Sequence, residues 1–259
     1  IFPNHDIKGG IVISMRNTQK EYGIIGAFTT SKELNSIMKK VNIDAEKSIC
    51  SVCFPKSNYG FTEDLYKDYP ALKSRLTKGN EYIIDADIFK KMPEIFENSN
   101  KDIDLICVYG RENNTRVNKP IKSKYIKDNT NLNKYKLFVT GANGSGSFGE
   151  VLSSPFVACP KEIHTQTYMS IGCFNTKKEA ESCLKYIKTK FARCMLSILK
   201  VTQNNPRNTW AKIPLQDFTS KSDIDWSKSI HEIDLQLYKK YGLDANEIKF
   251  IETHVKEMA

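Results

Sequence analysis

The feature of this chain that most limits its fold is a long amphipathic helical pattern that begins at Thr176. Thr176 and Glu179 have the spacing of a capping box, in which two side chains satisfy free backbone amides at a helix start. Apolar residues then recur about every 3.6 residues, at Ala180, Cys183, Leu184, Ile187, Phe191, Cys194, Met195, Ile198 and Val201. Such a stripe has to pack against a core, so the sequence predicts a helix over 176–203 with an opposite, lysine-rich face.

Patterns elsewhere in the chain indicate an α+β fold. Short apolar runs bounded by turn residues predict strands over 103–109, 135–140, 156–159 and 168–174. Helical periodicity predicts further helices over 31–42, 62–76, 85–96, 230–241 and 244–258. Two apolar runs around a polar turn predict a β-hairpin over 11–28. We therefore expect a mixed or mostly antiparallel sheet with flanking helices and a helical C-terminal tail.

The chain is basic, and this bears on its partner. Its 259 residues carry a formal net charge of +9, which suits binding to a polyanion such as nucleic acid. Most of the cationic residues are lysines, and an AT-rich genome by itself would give a protein rich in Lys, Asn and Ile. The positive charge therefore reflects either nucleic-acid binding or genome composition, and both explanations stay open. No apolar run reaches the length of a membrane span and no signal peptide is visible, so we expect no membrane partner. The chain begins at Ile1 rather than Met, and we expect a fragment of a longer polypeptide.

The cysteines indicate a reducing compartment. Their number, seven, is odd, and several lie in apolar strands or on the apolar helix face, as small buried side chains do. We therefore expect a cytoplasmic protein without a disulfide framework. Cys50 and Cys53 form a lone C-x-x-C, but a zinc site needs further ligands at suitable spacing, so no metal is expected there.

A glycine-rich loop over 141–149 follows a predicted strand. Its glycines fit the G-x-G-x-x-G spacing of dinucleotide-binding turns, but Pro155 follows and no helix opens. A Walker-type loop is excluded as well, because Ser147 and Phe148 stand where Lys and Ser/Thr are required. A mobile loop with bare backbone amides can approach a DNA backbone or simply turn the chain, and both interpretations stay open. The candidate DNA-contacting residues in this loop are Asn143, Ser145 and Ser147.

A basic segment over 111–127 is the best candidate for reading bases. We expect an irregular backbone here, and Arg and Asn side chains suit guanine and adenine edges respectively. An exposed hydrophilic loop without a ligand is the alternative. Its candidate DNA-binding residues are Arg111, Asn114, Arg116, Lys119, Lys122 and Lys124. A second polar loop near 202–210 adds Gln203, Arg207 and Asn208 as candidates, whereas Trp210 fits a core position better.

Catalytic motifs are not recognisable in this sequence. Its histidines lack a Ser, Cys or carboxylate that the sequence pairs with them. For a restriction nuclease, the nearest approach to an acidic residue followed by E-x-K is Glu247 and Lys249 with Asp234 upstream, and chance explains that spacing. We expect no catalytic, cofactor-binding or metal-binding residues in this chain.

Several short motifs occur in a fixed order along the chain. They are D-I-K-G-G at 6–10, the glycine-rich loop at 141–149, T-x-T-Y at 165–168, K-Y-x-x-T-K-F-x-R at 185–193, K-x-T-Q at 200–203 and I-P-x-x-D-F at 213–218. This order resembles the C-terminal target-recognition region of adenine-specific DNA methyltransferases from restriction-modification systems, of the TaqI-like kind. The family's base-holding [N/D/S]-P-P-[Y/F] motif and its Gly-rich turn for the methyl donor are absent here.

The resemblance implies an organisation and a set of partners. Residues 1–30 would be the last hairpin of the methyltransferase catalytic domain, 31–219 the DNA target-recognition domain and 220–259 a helical tail. Double-stranded DNA and a catalytic methyltransferase domain in cis are the implied partners. S-adenosylmethionine is implied for the parent protein, with no cofactor in this fragment. The alternatives are a restriction endonuclease part of the same system and a protein-interaction module that docks onto a subunit.

Overall fold

The computed structural model describes Ser14, Ala27 and residues 16–21, 29–44, 46–98 and 104–258. The segment 6–10 and most of the predicted hairpin over 11–28 lie outside the described residues. The helices are α1 (Lys32–Val41), α2 (Glu63–Asp68), α3 (Ile88–Lys91), α4 (Lys177–Lys188), α5 (Lys190–Leu196), α6 (Ile230–Lys240) and α7 (Ala245–His254). The strands are β1 (Cys53–Phe54), β2 (Leu105–Glu112), β3 (Thr115–Lys122), β4 (Tyr135–Thr140), β5 (Phe156–Ala158), β6 (Glu162–His164) and β7 (Tyr168–Phe174).

The strands form two sheets. A four-stranded sheet has the order β1-β7-β4-β5, with every neighbouring pair antiparallel. A three-stranded sheet has the order β3-β2-β6, in which β2 and β3 form a hairpin and β6 runs parallel to β2. This confirms the predicted α+β fold, with a mostly antiparallel sheet content, flanking helices and helices at the C-terminal end.

The central strands of the larger sheet are covered on both faces, which explains their nearly continuous apolar sequence. Helix α4 packs on β4 and β7 from one side. On the other side, Phe138 and Tyr168 pack with the partly buried Tyr109 of the smaller sheet. The two sheets therefore meet through a small aromatic cluster.

The described residues form two large hydrophobic clusters. One core joins α1, the larger sheet and helices α4 to α7, and Ile233, Leu237 and Ile251 of the tail are fully buried in it. A second core is built almost wholly from residues 59–132, around α2, α3 and the β2–β3 hairpin. Helices α6 and α7 of the C-terminal tail therefore belong to the main core.

Three predicted helices are interrupted in the structure. The pattern over 85–96 is an α-helix only over Ile88–Lys91, because Pro93 follows. The pattern over 176–203 breaks into α4 and α5 at Thr189, whose extended backbone (ψ 151) starts a new helix and whose hydroxyl accepts the Ala192 amide at 3.1 Å. The pattern over 62–76 ends as an α-helix at Asp68, because Pro70 disfavours helical geometry at the residue before it.

Candidate nucleic-acid interface

The basic segment is a regular hairpin, which corrects the expectation of an irregular backbone over 111–127. β2 and β3 pair without interruption from Leu105–Lys122 to Glu112–Thr115. The turn between them consists of Asn113 and Asn114, with φ of 49° and 63°. Positive φ at both central residues is the type I′ geometry that matches the twist of paired strands, and asparagine tolerates it well. The two consecutive asparagines are therefore the sequence feature that indicates a hairpin turn at this position.

The hairpin places Arg111 and Arg116 opposite each other near its tip, and both are exposed. Arg116 is held in place: its Nη2 donates to the carbonyl oxygens of Ser153 at 3.2 Å and Ser154 at 3.0 Å. Its guanidinium also lies 5.5 Å from the centre of the Phe156 ring. With Nη2 directed into the protein, Arg116 does not offer the full two-armed fork expected of a guanine-reading arginine. Arg111 has no such restraint among the described contacts.

The three candidate lysines of this segment are bound to carboxylates. Lys119 pairs with Glu112 at 3.1 Å, Lys122 with Glu97 at 3.4 Å and Lys124 with Asp68 at 2.5 Å. The bond to Lys124 holds the pKa of Asp68 below its usual value. These lysines contribute less free positive charge than the sequence suggests.

The glycine-rich loop is structured around a carboxylate of its own chain, so the expectation of bare backbone amides was wrong. The amides of Ser145 and Gly146 donate to Glu150 at 2.9 and 3.2 Å. Lys200, only 4 % exposed, donates to the same carboxylate and to the Asn143 carbonyl at 2.8 Å. Burial opposes the ionisation of Glu150, but the bonds from Lys200 and the two amides outweigh it and hold the pKa of Glu150 below its usual value. The loop already holds the anion that its geometry would attract.

Close packing explains the glycines of this loop. A Cβ on Gly146 would overlap the Thr202 backbone nitrogen, and one on Gly149 would overlap the His254 carbonyl oxygen. Both residues also have positive φ, at 90° and 67°. Only glycine fits where the loop touches residues 201–202 and the end of α7.

The candidate residues of the loop differ in accessibility. Asn143 is 3 % exposed; its Nδ2 donates to the Val151 carbonyl at 2.9 Å and its Oδ1 accepts the Ser153 amide. Asn143 therefore supports the loop and does not present its amide at the surface, which corrects its placement as a contact residue. Ser145 and Ser147 are exposed, and their hydroxyls lie 2.7 Å apart.

The third candidate segment, 202–208, runs alongside the loop. Gln203, Arg207 and Asn208 are exposed. The Gln203 carbonyl accepts the Asn143 amide at 2.7 Å, and the Asn205 amide donates to the Gly141 carbonyl at 3.1 Å. The Nε of Arg207 donates to the Cys50 carbonyl at 2.9 Å. As expected of a core residue, Trp210 is fully buried.

These contacts join the candidate segments into one surface at one end of the larger sheet. Arg116 links the hairpin tip to Ser153 and Ser154, Asn143 links that segment to the loop, and Gln203 continues the chain of contacts. We call the surface formed by residues 111–116, 141–149, 151–154 and 202–208 the polar edge. The segment 151–154 was not predicted, because only tertiary contacts bring it there.

The polar edge carries positive charge without exposed acidic groups. Within its segments the acidic residue is Glu112, which is paired with Lys119, and the adjoining Glu150 is paired with Lys200. Arg111, Arg116 and Arg207 are exposed, and within the described part of the chain none of them forms an ion pair with a carboxylate. The edge therefore has the electrostatic character of an anion-binding surface.

The lysine face of the 176–203 region is largely engaged in holding the fold. Lys185 donates to the carbonyls of Trp226 at 2.9 Å and Lys228 at 2.8 Å, and Lys190 pairs with Glu252 at 2.6 Å. Arg193 is 2 % exposed and donates to main-chain carbonyls on three segments, those of Lys188, Gly149 and Lys256. The K-Y-x-x-T-K-F-x-R motif thus joins α4 and α5 to the loop and the tail.

The residues considered for a nuclease or metal site have structural partners. Asp234 is 1 % exposed and accepts the first amides of α5, from Lys190 at 2.9 Å and Phe191 at 2.8 Å, while burial raises its pKa to about 6. Glu247 is 2 % exposed and accepts from Lys40 at 2.6 Å. Cys50 and Cys53 are buried free thiols. Among the described residues, no three His, Cys, Asp or Glu side chains converge as metal ligands would.

Comparisons with protein-family models, with curated proteins and with solved structures gave no match to this chain. In the described ranges, every helix is too short or too polar to cross a bilayer. The polar edge and the motif order in the sequence are therefore the two observations that bear on function.

Proposed function

We propose that this chain binds double-stranded DNA through the polar edge, as the target-recognition region of an adenine-specific DNA methyltransferase or a fused restriction-modification enzyme. The observation that carries the proposal is the convergence of the three candidate segments on one basic surface, where the nearby carboxylates of Glu112 and Glu150 are paired with lysines. The order of the sequence motifs is its second support. In this proposal the parent protein is cytoplasmic, and its catalytic domain lies in the same polypeptide.

The chemistry of the polar edge divides into two tasks. Arginines with hydroxyl and amide side chains suit the phosphate and sugar contacts that position a protein on DNA. The tip of the β2–β3 hairpin presents Arg111 and Asn114, the side-chain types that read guanine and adenine, on a two-stranded ribbon, which is narrow enough for the major groove. We therefore assign base reading to the hairpin tip and backbone contact to the loop and the 202–208 segment.

Salt dependence tests the proposal directly. Binding of a fluorescein-labelled mixed-sequence duplex is followed by anisotropy at increasing salt. Affinity should fall at least about tenfold between about 50 and 200 mM salt if several phosphates are contacted. Salt-independent binding, or no binding to any duplex, would refute DNA recognition by this chain.

A charge-matched pair of variants tests the location of the surface. Arg111→Gln with Arg207→Gln removes two charges from the polar edge, whereas Lys67→Gln with Lys177→Gln removes two from side chains that are 72 % and 63 % exposed elsewhere. The first variant should bind more weakly, and its salt slope should fall by about 0.9 for each phosphate that is no longer neutralised. The second should behave as wild type. Equal weakening in both variants would show that net charge, rather than the polar edge, drives binding.

Methylation in this proposal belongs to the catalytic domain of the parent protein, which flips the target adenine and uses S-adenosylmethionine. This chain lacks the family's base-holding and donor-binding motifs. We expect no methyl transfer and no donor binding by residues 1–259 alone. Stoichiometric binding of S-adenosylmethionine to residues 1–259 in calorimetric titration would contradict the assignment of donor binding to a separate catalytic domain.

Two exposed valines favour protein docking as a second candidate function. Val201 is 73 % exposed and Val151 is 42 % exposed, and both adjoin the glycine-rich loop. Exposed branched apolar residues beside a polar surface suit contact with another domain or subunit. If docking is the function, Val201→Ser should weaken a complex formed without DNA, as measured by ultracentrifugation with the catalytic domain, and leave duplex affinity unchanged.

A further inference from the structure

A groove lies between the β2–β3 hairpin, close to its tip, and Phe156, the first residue of β5. The groove is open to solvent, has a volume of about 480 Å³ and is lined by Tyr109, Arg116, Val117, Asn118 and Phe156. Tyr109 and Phe156 are only partly buried, and their ring centres lie 5.4 Å apart. An aromatic-lined groove thus adjoins the arginines of the polar edge.

The arginine beside this groove is fixed in orientation. Its two bonds to the carbonyls of Ser153 and Ser154 hold one end of the guanidinium, and the ring of Phe156 lies behind it at 5.5 Å. Arg116 nevertheless remains exposed. A flat, fixed cation backed by an aromatic ring is a surface on which a planar π system stacks with little loss of side-chain freedom.

Polar groups lie at the rim of the same groove. The exposed Asn118 lies opposite Tyr109 across the two strands, and its side-chain amide, which contacts the Tyr109 hydroxyl, carries donor and acceptor groups. The Tyr109 hydroxyl is 3.2 Å from a Glu162 carboxylate oxygen. Arg111 is the cross-strand partner of Arg116, so a second exposed cation lies beside the platform.

We propose that this groove binds an unpaired nucleobase of DNA, stacked on the Arg116–Phe156 platform with its phosphate toward Arg111. The inference rests on the proposed function and deepens it, because it assigns a single-base site to a surface otherwise suited to duplex contact. The planar ring of a nucleobase would stack on the Arg116 guanidinium, and its polar edge would face the Asn118 amide. The adjoining phosphate would face Arg111. Stacking accepts any base, since every base has a π face.

The experiment compares two fluorescein-labelled duplexes that differ by one unpaired adenine at the centre of one strand, together with the single-stranded oligonucleotide. Anisotropy titrations use the full chain and three variants. Phe156→Leu removes the ring and keeps apolar volume, and Arg116→Gln removes the planar cation at the exposed rim. Phe96→Leu is the matched control, because Phe96 is a partly buried ring that packs on Phe89 in the second core.

The wild-type chain should bind the bulged duplex about fivefold or more tighter than the paired duplex, which is the lower end of what one stacked base contributes. Phe156→Leu and Arg116→Gln should each bring the ratio of bulged-duplex affinity to paired-duplex affinity near one. Phe96→Leu should keep the wild-type ratio. A wild-type ratio of one, or a ratio that both groove variants keep, overturns the single-base site while duplex binding, and with it the proposed function, still stands.

If neither duplex binds, the proposed function fails, and the single strand then decides the inference. Binding of the single strand that Phe156→Leu weakens about fivefold, and Phe96→Leu does not, supports the base site. Single-strand binding that is equal in all variants, or absent, overturns it.

Discussion

The buried histidine at the junction of the two sheets should make the stability of this protein strongly dependent on pH. His164 is 1 % exposed and lies edge-on to the rings of Tyr59 and Phe138, with ring centres 4.8 and 4.9 Å away. Its Nδ1 lies 2.9 Å from the Thr165 carbonyl oxygen, and its Nε2 has no hydrogen-bond partner among the described residues. Burial in these apolar surroundings lowers the pKa of His164 to about 3.

The sign and size of the effect follow from this lowered pKa. The unfolded chain takes up a proton near pH 6.5, whereas the folded chain resists protonation down to a pKa of about 3. The contribution of neutral His164 is therefore complete above pH 6.5 and is lost progressively as the pH falls toward 3. Between pH 7.5 and 5 the loss in unfolding free energy is about 2 kcal/mol, because the unfolded state gains a proton over about 1.5 pH units.

The assay is urea unfolding of the wild type and of His164→Phe at pH 7.5 and 5. Phenylalanine keeps a planar ring between Tyr59 and Phe138, and the Thr165 carbonyl still accepts the Tyr168 amide at 3.1 Å. Other titrating groups contribute equally to both proteins; among them is Asp234, whose raised pKa of about 6 has the opposite sign, because it adds stability as pH falls. On going to pH 5, the wild type should lose about 2 kcal/mol more than the variant. Equal losses would mean that His164 is protonated in the folded protein and that burial does not keep the imidazole neutral.

Three further predictions concern the polar edge and its support. Glu150→Ala should lower the unfolding free energy by about 3 kcal/mol, because it leaves the buried Lys200 cation without its carboxylate. Urea unfolding measures this, and a loss no larger than that of Asp64→Ala, which breaks the exposed pair with Lys67, would contradict it. Arg193→Lys should cost about 2 kcal/mol, because one ammonium cannot reach carbonyls on three segments; an unchanged thermal midpoint would argue against that role. If the proposed function holds, Arg111→Ala should change the DNA sequence that the protein prefers, and discrimination should fall by about 1–3 kcal/mol per base contact. Selection from a randomised duplex library measures that preference, and an unaltered preference would remove Arg111 from base reading.

Local sequence patterns predicted the helices and strands well where local interactions determine the secondary structure. The spacing of apolar residues located α1, β4, β7, α6 and α7, and Asp244, the first residue of the predicted range 244–258, caps α7. The errors occurred where two signals compete. The apolar stripe continues through Thr189, so periodicity alone predicted one helix, whereas the cap geometry of Thr189 and the carboxylate of Asp234 start a second one.

The candidate site was less predictable, because charge pairing is a tertiary property. The sequence identified the segments that form the polar edge, but it could not show that Lys119, Lys122 and Lys124 meet carboxylates. It also could not show that Glu150, which directly follows the glycine-rich loop, folds back to fill it. Phe156 carried no signal of its own, since an aromatic residue in a short strand fits a core position equally well.

The residues that carry the family resemblance and the residues that would contact DNA are largely different sets. Thr189, Arg193 and Lys200 belong to the motifs, and each is buried and holds a helix start, the tail or the glycine-rich loop in place. The exposed Arg111 and Asn114 of the hairpin tip lie outside those motifs. Under the proposed function, a rigid support that carries a separate, solvent-facing hairpin would allow the recognised DNA sequence to change without loss of the core. The motifs therefore bear on how the polar edge is built, and under the proposed function the bases that it would read depend on residues that the motifs do not include.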